Sequence, residues 1–423
     1  MRIVDLDTAM SAIQSGMRIF VQGMAATPHG LLAGLAERCR SLEEVRLFHM
    51  HLEGPTPWIA PALKGRVHDI SFFVGPNLRE AVARGDASYL PLFLSDIPWF
   101  LRQPNFRPHV ALLNVSPPDR HGYVSLGPSV DATLTAVEMA DVVIAQINPH
   151  VPRTLGEACI HQDAITFGVP WSEPLATRAA APPDPVTEAI GRHVASLIPD
   201  RATLQIGIGR IPDAVLRQLV HHRDLGIHSE MLSDGVRDLA ERGVVTGRYK
   251  VTDPGKIVGT FALGSEALYA FLDDNAAVAM RVVDYTNNTA VIRQNPRMVS
   301  VNSAVEVDLT GQVAAESIGP RVISGVGGQM DFVRGASLAP EGRSIIALPS
   351  RTASGQARIV ATLKAGAAVT TTRNHVQYVV TEYGIAELHG RTLEERARRL
   401  IAVAHPEDRP ALEEAAARLI PGW

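Results

Sequence analysis

A single glutamate stands out because of where it falls in the chain. Glu230 lies in the segment HSEMLSDG (228–235), directly after residues that predict a short buried strand. The carboxyl ends of parallel strands form the sheet edge at which ligands bind, and a carboxylate there is ionised at pH 7 without help from a base. The alternative interpretation is a solvated glutamate in a turn, with no chemical role.

Two glycine-rich segments could bring backbone N–H groups to a ligand. The first is QIGIG (205–209), which we expect to end a strand and open a helix, and the second is SGVGGQMDF (324–332). Closely spaced glycines let the main chain approach an anion or polarise a carbonyl. The alternatives are a well-packed tight turn for the first segment and a flexible hairpin for the second. The first segment lacks the third glycine and the acidic partner of a dinucleotide fingerprint, which disfavours a dehydrogenase.

Short β-branched runs alternate with amphipathic helical stretches throughout the chain. Such runs, five or six residues long, predict strands covered on both faces, hence parallel sheets flanked by helices. The clearest are 17–22 (MRIFVQ), 45–50 (VRLFHM), 142–147 (VVIAQI), 203–208 (TLQIGI), 344–348 (SIIAL) and 377–381 (QYVVT).

A weak internal repeat connects the two halves of the chain. FVQGMAATPHGLLAGL in the first half resembles LQIGIGRIPDAVLRQL in the second: a strand, a glycine turn, a proline in the first helical turn and an apolar helix face. A second strand follows in each copy, and the pairing sets His49 against His228 and His51 against Glu230. A proline-rich stretch at 172–185 separates the halves. We therefore predict two related open α/β domains with largely parallel sheets: residues 1–171, a linker at 172–185, and residues 186–423.

Composition excludes several classes of protein. The net charge of −4 gives no basic field for nucleic acid or an anionic membrane, and no apolar run is long enough to span a bilayer. Cys39 and Cys159 are too few for a disulfide framework or a thiolate metal site, and no His/Asp/Glu spacing predicts a metal. The chain has no GxSxG motif, and this absence disfavours a serine hydrolase. The first residues lack an apolar signal core, so we expect a cytoplasmic protein.

Several long motifs, in order, resemble the acetyl-CoA hydrolase/transferase family, close to its 4-hydroxybutyrate and butyryl-CoA:acetate CoA-transferases. They are VSPPDRHGYVSLGPSVD (115–131), VIAQINPHVPRTLGEACIH (143–161), QIGIGRIPDAVL (205–216), LGIHSEMLSDG (225–235), SGVGGQMDF (324–332) and VVTEYGIAELHGRTLEERARRLIAVAHPEDR (379–409). The resemblance implies the CoA-transferase fold, related to the sugar-phosphate isomerases (NagB/RpiA-like).

The resemblance also implies roles for particular residues. Glu230 would be the nucleophile, and a glycine-rich turn would complete the oxyanion site. One difference concerns CoA binding: relatives often have a lysine where this chain has Ser354, which leaves a contact there in doubt, and Arg358 is a candidate replacement. The residues implied to bind CoA or the oxyanion are Gln205, Ile206, Gly207, Ile208, Gly209, Val305, Gly327 and Gly328.

The implied activity is transfer of CoA from an acyl-CoA (acetyl-, butyryl- or succinyl-CoA) to a small carboxylic acid such as 4-hydroxybutyrate or itaconate. It would follow a ping-pong mechanism through a glutamyl-CoA thioester. We expect no permanently bound cofactor, with coenzyme A acting as a substrate, and a homodimer is left open. Two alternatives remain: an acyl-CoA hydrolase that uses the same site, and a non-catalytic CoA-binding protein.

Overall fold

The computed structural model describes residues 1–180 and 182–423, which form two compact units. The N-terminal unit comprises Met1–Ala179, Val258–Thr286 and Ile323–Gly327, and the C-terminal unit comprises Ala180–Ile257, Asn287–Val322 and Gly328–Trp423. The sequence predicts a boundary at the linker 172–185; in the structure the later segments Val258–Thr286 and Ile323–Gly327 are also grouped with the N-terminal unit. The described residues of the proline-rich stretch lie outside helices and strands, up to the helix that begins at Pro185.

The strands, in chain order, are β1 Arg2–Ile3, β2 Arg18–Val21, β3 Val45–His49, β4 Val67–Ser71, β5 Ala87–Tyr89, β6 Val110–Val115, β7 Tyr123–Ser125, β8 Val142–Ile147, β9 Cys159–His161, β10 Phe167–Pro170, β11 Thr203–Ile206, β12 Gly226–His228, β13 Met231–Leu232, β14 Ile257–Gly259, β15 Phe261–Ala262, β16 Val278–Met280, β17 Met298–Ser303, β18 Glu306–Asp308, β19 Val313–Ala314, β20 Ser317–Ile318, β21 Arg321–Val322, β22 Arg343–Ala347, β23 Ile359–Val360, β24 Tyr378–Thr381 and β25 Gly384–Glu387.

The α-helices are α1 Leu6–Met10, α2 His29–Arg38, α3 Arg79–Arg84, α4 Ile97–Arg102, α5 Thr133–Met139, α6 Pro185–Ser196, α7 Arg210–Gln218, α8 Asp234–Glu241, α9 Glu266–Leu272, α10 Val283–Thr286, α11 Thr289–Ile292, α12 Gln329–Leu338, α13 Leu393–Val403 and α14 Arg409–Leu419. None of the helices in the described ranges is both long and apolar enough to cross a membrane.

The N-terminal unit is built on one parallel sheet with the strand order β1-β10-β8-β6-β2-β3-β4-β5. All six residues of β6 are buried, as expected for a strand covered on both faces. Apolar side chains of α1, α2 and the central strands form the core on one side of this sheet, and Trp58 is among its largest buried members.

Within the C-terminal unit, neighbouring strands run in the order β12-β11-β17-β22-β24-β25, parallel except for the final β24–β25 pair. The order β12-β11-β17-β22-β24 matches β3-β2-β6-β8-β10 of the N-terminal unit. The prediction of two α/β units with largely parallel sheets is confirmed, and the six predicted runs all form strands.

The two repeat helices start at different offsets from their prolines. In the first copy α2 begins at His29, directly after Pro28, whereas in the second copy α7 begins at Arg210, two residues before Pro212. Both positions are tolerated because the N–H groups of a first helical turn have no partner within the helix, so the missing proline N–H costs nothing there.

Candidate active site

Glu230 lies at the carboxyl edge of the C-terminal sheet. Strands β11 and β12 pair in parallel, with Thr203 opposite Gly226, so both end at the same edge. Glu230 follows the last residue of β12 by two positions and is half-buried. The strand and the carboxylate therefore have the relation that the sequence predicted.

Two hydrogen-bond donors hold the Glu230 carboxylate. Asn287 Nδ2 donates to Glu230 Oε2 at 3.1 Å, and the backbone N–H of Gly328 donates to the same carboxylate. A side chain at position 328 would overlap Oε2 of Glu230, so this approach requires glycine. Gly328 directly precedes α12, so the N–H that contacts Glu230 lies at the N-terminal end of this helix, where the helix dipole favours a negative charge.

A second carboxylate takes part in the same network. Asn287 Nδ2 also donates to Asp331 Oδ2 at 3.1 Å. Asn287 is 1% exposed and Asp331, in the first turn of α12, is 7% exposed. The amide of Asn287 therefore joins two acidic side chains inside the C-terminal unit.

Burial sets the charge state of Glu230. The pKa of this carboxyl is raised to about 7, chiefly by burial; the negative charge of Asp331 also raises it, while the hydrogen bonds from Asn287 and Gly328 lower it. Both protonation states of Glu230 are therefore accessible near neutral pH. A carboxyl shifted toward the working pH by burial and a specific neighbour is typical of functional sites.

The QIGIG turn lies at the end of the neighbouring strand. Gln205 is buried and its amide pairs with Asn302 of β17, with Asn302 Nδ2 donating to Gln205 Oε1 at 3.1 Å. In the described part of the chain, no backbone carbonyl accepts the N–H of Gly207 or Ile208. A Cβ at Gly207 would meet nothing within 4 Å, and Gly209 has φ +116°, a conformation that favours glycine.

This arrangement of strand-end glutamate and glycine turns occurs in a chain that matches two family models. Residues 2–178 match the acetyl-CoA hydrolase/transferase N-terminal domain, and residues 264–416 match the C-terminal domain of the same family. The chain belongs to the acetyl-CoA hydrolase/transferase family.

Individual relatives agree with this assignment. A succinyl-CoA:acetate/propanoyl-CoA:succinate CoA transferase of Fasciola hepatica is 46% identical over 97% of this chain and 86% of its own length. The 4-hydroxybutyrate coenzyme A transferase of Clostridium kluyveri is 45% identical, covering 97% and 96%. The crystal structure of RipA from Yersinia pestis has a TM-score of 0.93 at 35% identity, covering 99% of this chain and 97% of that one. The predicted family and the transferase class are confirmed.

The predicted site residues of this family member are only partly brought together. Glu230 and Gly328 are in contact, and the turn formed by Gln205, Ile206, Gly207, Ile208 and Gly209 ends the strand beside β12. Val305 follows β17, which is the neighbour of β11 on the side away from β12. Its N–H donates to Ala314 O at 2.8 Å. Gly327 belongs to the N-terminal unit, where its carbonyl accepts from Leu94 N at 3.0 Å.

Sequence reasoning missed Asn287 and Asp331. Asp331 falls inside the motif SGVGGQMDF, so an acidic residue one turn after the glycines was a usable signal. Asn287 lies 57 residues from Glu230 in a segment, DYTNNTAV, that has no recognisable pattern. Within the described residues, no group of three or more His, Cys, Asp or Glu side chains is placed to hold a metal ion.

Arg358 is a half-buried cation beside the end of β17. Its Nη1 donates to Ala304 O at 3.2 Å, its Nε is buried without a hydrogen-bond partner, and burial lowers the pKa of the guanidinium. No carboxylate of the described residues lies within ion-pair distance of it. Ser354 is exposed at the tip of the adjoining turn and pairs with Thr352 through a hydroxyl contact of 2.9 Å.

Proposed function

We propose that this protein transfers CoA from an acyl-CoA to a small carboxylic acid, with Glu230 as the covalent nucleophile. The observation that carries the proposal is the Glu230 carboxylate at a strand end, in contact with the N–H of Gly328 and the amide of Asn287. The named activities of the relatives support the class of reaction, and acetate, succinate, 4-hydroxybutyrate and itaconate are candidate acids.

The reaction would proceed by two exchanges at one carboxylate. A Glu230 oxygen attacks the thioester carbonyl, the C–S bond breaks, and CoA leaves as a thiolate from an acyl-glutamyl anhydride. The thiolate then attacks the glutamyl carbonyl, and the first acid leaves as a carboxylate, with a glutamyl-CoA thioester remaining on the enzyme. The second acid reverses these steps and leaves as the new acyl-CoA. No net proton is gained or lost.

Backbone N–H groups would stabilise the oxyanions formed in these steps. Among the described residues no backbone carbonyl accepts the N–H of Gly207 or Ile208, and there is open space around the Gly207 α-carbon, as a site for a thioester requires. An oxyanion-hole donor is worth about 3 kcal/mol of transition-state stabilisation. Gly328 would serve the glutamyl carbonyl, since its N–H already contacts the same side chain. Roles for Gln205, Ile206, Gly209, Val305 and Gly327 remain part of this proposal.

Arg358 is our candidate for binding a phosphate of CoA. An unpaired, half-buried guanidinium is costly unless an anion joins it, and its planar donors suit phosphate oxygens. Arg358→Met should raise KM for acetyl-CoA by roughly 10- to 100-fold, the equivalent of one charged hydrogen bond. Acetyl-pantetheine, which lacks phosphates, should be used equally well by the variant and the wild type. An equal loss with both substrates would contradict phosphate binding by Arg358.

The covalent intermediate provides the main test of the proposed function. Incubation with an acyl-CoA alone should leave CoA on the peptide that contains Glu230, detected by mass spectrometry, and borohydride should then reduce that residue and inactivate the enzyme. An added acceptor acid should protect the enzyme by discharging the thioester. Glu230→Gln should show neither adduct nor exchange, while Glu241→Gln, an exposed carboxylate at the end of α8, should behave as wild type.

The same experiment separates transfer from the two alternatives. Steady release of free CoA without an acceptor, at the full rate and with no trapped adduct, would identify a hydrolase. Binding of acyl-CoA with neither adduct nor turnover would identify a non-catalytic CoA-binding protein. Relatives named acetyl-CoA hydrolase are more distant, for example one of Kluyveromyces lactis that is 24% identical over 69% of this chain.

A further inference from the structure

The amide of Asn287 lies between two carboxylates. Its Nδ2 donates to Glu230 Oε2 and to Asp331 Oδ2, each at 3.1 Å, so each of the two amide hydrogens has an acidic acceptor. Hydrogen bonds to ionised acceptors are about twice as strong as neutral ones. Both Asn287 and Asp331 are more than nine-tenths buried, which strengthens these interactions.

The carbonyl oxygen of the Asn287 amide, Oδ1, shows which hydrogen bonds fix the orientation of this side chain. Asn287 Oδ1 is buried and has no hydrogen-bond partner among the residues that the structure describes. Rotation of the amide by 180° would place this oxygen against two carboxylate oxygens, which is repulsive. The side chain therefore keeps its NH2 group toward the acids even though its carbonyl oxygen remains unpaired.

The backbone explains how the second carboxylate reaches this position. Asp331 is the third residue of α12, the helix that begins directly after Gly328, and α12 packs against α11, which begins two residues after Asn287. The glycine that contacts Glu230 and the acid that contacts Asn287 are therefore carried by one helix start.

We propose that Asp331 is a positioning residue: it holds the Asn287 amide with its NH2 group toward Glu230. The proposal rests on the proposed role of Glu230 as the nucleophile. Asp331 makes no contact with substrate in this account. It acts through Asn287, which in turn places a donor on the carboxylate that loses its negative charge when the anhydride forms and regains it when the new acyl-CoA leaves.

Asp331 and Asn287 act on the charge of Glu230 in opposite directions. The negative charge of Asp331 raises the pKa of Glu230, and the hydrogen bond from Asn287 lowers it. Other ionisable groups nearby lie on or against β12: His228, whose ring packs against Phe332 of α12, and Lys250, whose Nζ donates to Ile227 O at 2.8 Å. The variants below change only Asp331, Asn287 or the exposed Asp238, so His228 and Lys250 are the same in every protein compared.

The test compares Asp331→Ala, Asp331→Asn and Asn287→Ala with the exposed control Asp238→Asn on α8. Asp331→Ala should lower the rate of glutamyl-CoA formation roughly a hundredfold, the loss expected when a reacting group is misplaced by about 1 Å. Asp331→Asn keeps an acceptor oxygen and should lose less, and the control should match the wild type. Melting temperatures establish that each variant is folded, and Asp331→Asn carries the test if the alanine variant is not.

The pH dependence of adduct formation distinguishes positioning from general damage. In the wild type the rate should fall below a pH of about 7, where Glu230 becomes protonated. The pH below which the rate falls should be lower in Asp331→Asn, because the negative charge that raises the pKa of Glu230 is gone. It should be higher in Asn287→Ala, because the hydrogen bond that lowers this pKa is gone. Unchanged rates, or reduced rates whose pH dependence is the same as that of the wild type, would overturn the proposal. If Glu230→Gln retained full exchange activity, the proposed function itself would fail, whereas an inactive Glu230→Gln beside fully active Asp331 variants would refute this inference alone.

Discussion

In the N-terminal unit β3 ends at His49 and His51 follows two residues later; in the C-terminal unit β12 ends at His228 and Glu230 follows two residues later. His51 Nε2 contacts Glu53 Oε1 at 2.8 Å, and this hydrogen bond lowers the pKa of Glu53. Burial instead raises the pKa of Glu230. At equivalent positions, the N-terminal unit thus has a histidine that favours the ionised form of a neighbouring acid, and the C-terminal unit has an acid whose ionised form is disfavoured by burial.

The glycine turns of the two units also differ, in the space around the glycine and in the hydrogen bonds of their backbone N–H groups. A Cβ at Gly23 would lie 2.5 Å from the carbonyl oxygen of His51, and Met24 N donates to that oxygen at 2.7 Å. A Cβ at Gly207 would meet nothing within 4 Å, and no backbone carbonyl in the described ranges accepts the N–H of Gly207. The N–H of Met24 in the N-terminal turn is therefore occupied, whereas no backbone carbonyl of the described residues accepts the N–H of its counterpart Ile208. In our proposal this difference makes the C-terminal copy the reactive one.

The largest difference should appear when the two equivalent positions are changed separately. Glu230→Gln removes the nucleophile and should lower CoA exchange at least a thousandfold. His51→Gln should cost at least ten times less, because His51 has no role in bond formation in our proposal. Initial rates of exchange between acetyl-CoA and labelled acetate provide the measurement, and comparable losses in both variants would contradict the assignment of the reactive copy.

Gly328→Ala should have the next largest effect. The added methyl group would overlap Glu230 Oε2 and displace the carboxylate from the N–H of residue 328. We expect about a hundredfold loss of turnover, comparable to the removal of an oxyanion donor, with acyl-CoA binding retained. Equilibrium binding of CoA and steady-state kinetics measure the two quantities. Wild-type kinetics would show that this glycine only shapes the helix start.

Much of the fold could be predicted because buried parallel strands have a strong local pattern. Runs such as VVIAQI are apolar along their whole length and short, which leaves few alternatives to a strand covered on both faces. The assignment of 258–286 and 323–327 to the N-terminal unit could not be predicted in this way, because it depends on contacts between residues far apart in the chain.

The site was predictable to the extent that it is local. Glu230 follows its strand directly and Gly328 lies in a glycine cluster, so position and composition mark both. Asn287 is a neutral residue in a segment without a recognisable sequence pattern, and only the folded chain brings its amide to two carboxylates. The raised pKa of Glu230 was equally inaccessible, because burial depends on the packing of several elements.

Replacing the glycine of each turn by alanine should affect stability in the N-terminal unit and turnover in the C-terminal unit. Gly23→Ala should lower the free energy of unfolding by about 1–3 kcal/mol, since the new methyl group has no room beside the His51 carbonyl. Gly207→Ala should leave stability within about 0.5 kcal/mol and reduce turnover instead. Urea denaturation and kinetics on both variants would check this. Equal destabilisation by the two substitutions would contradict the difference that we draw between the turns.

The smallest expected effect is a difference in how the two acids couple stability to pH. The pKa of Glu230 is raised from its ordinary value of 4.5 to about 7, so the stability contributed by its neutral form is fully present below pH 4.5 and is lost as pH rises through about 7. The pKa of Glu53 is lowered, so its contribution is present above pH 4.5 and is lost as pH falls through the lowered value.

Replacement of each acid by glutamine should therefore give opposite trends. The Glu230 shift corresponds to about 3 kcal/mol, and partial exposure reduces the expected effect to about 1 kcal/mol. Glu230→Gln should accordingly be more stable than wild type at pH 8, with the difference closing toward pH 5, because the variant no longer carries a buried charge. Glu53→Gln should be less stable than wild type at pH 8, with the difference closing as the pH falls below 4.5. Urea unfolding followed across this range measures both slopes, and slopes of the same sign would contradict the opposite electrostatics of the two units.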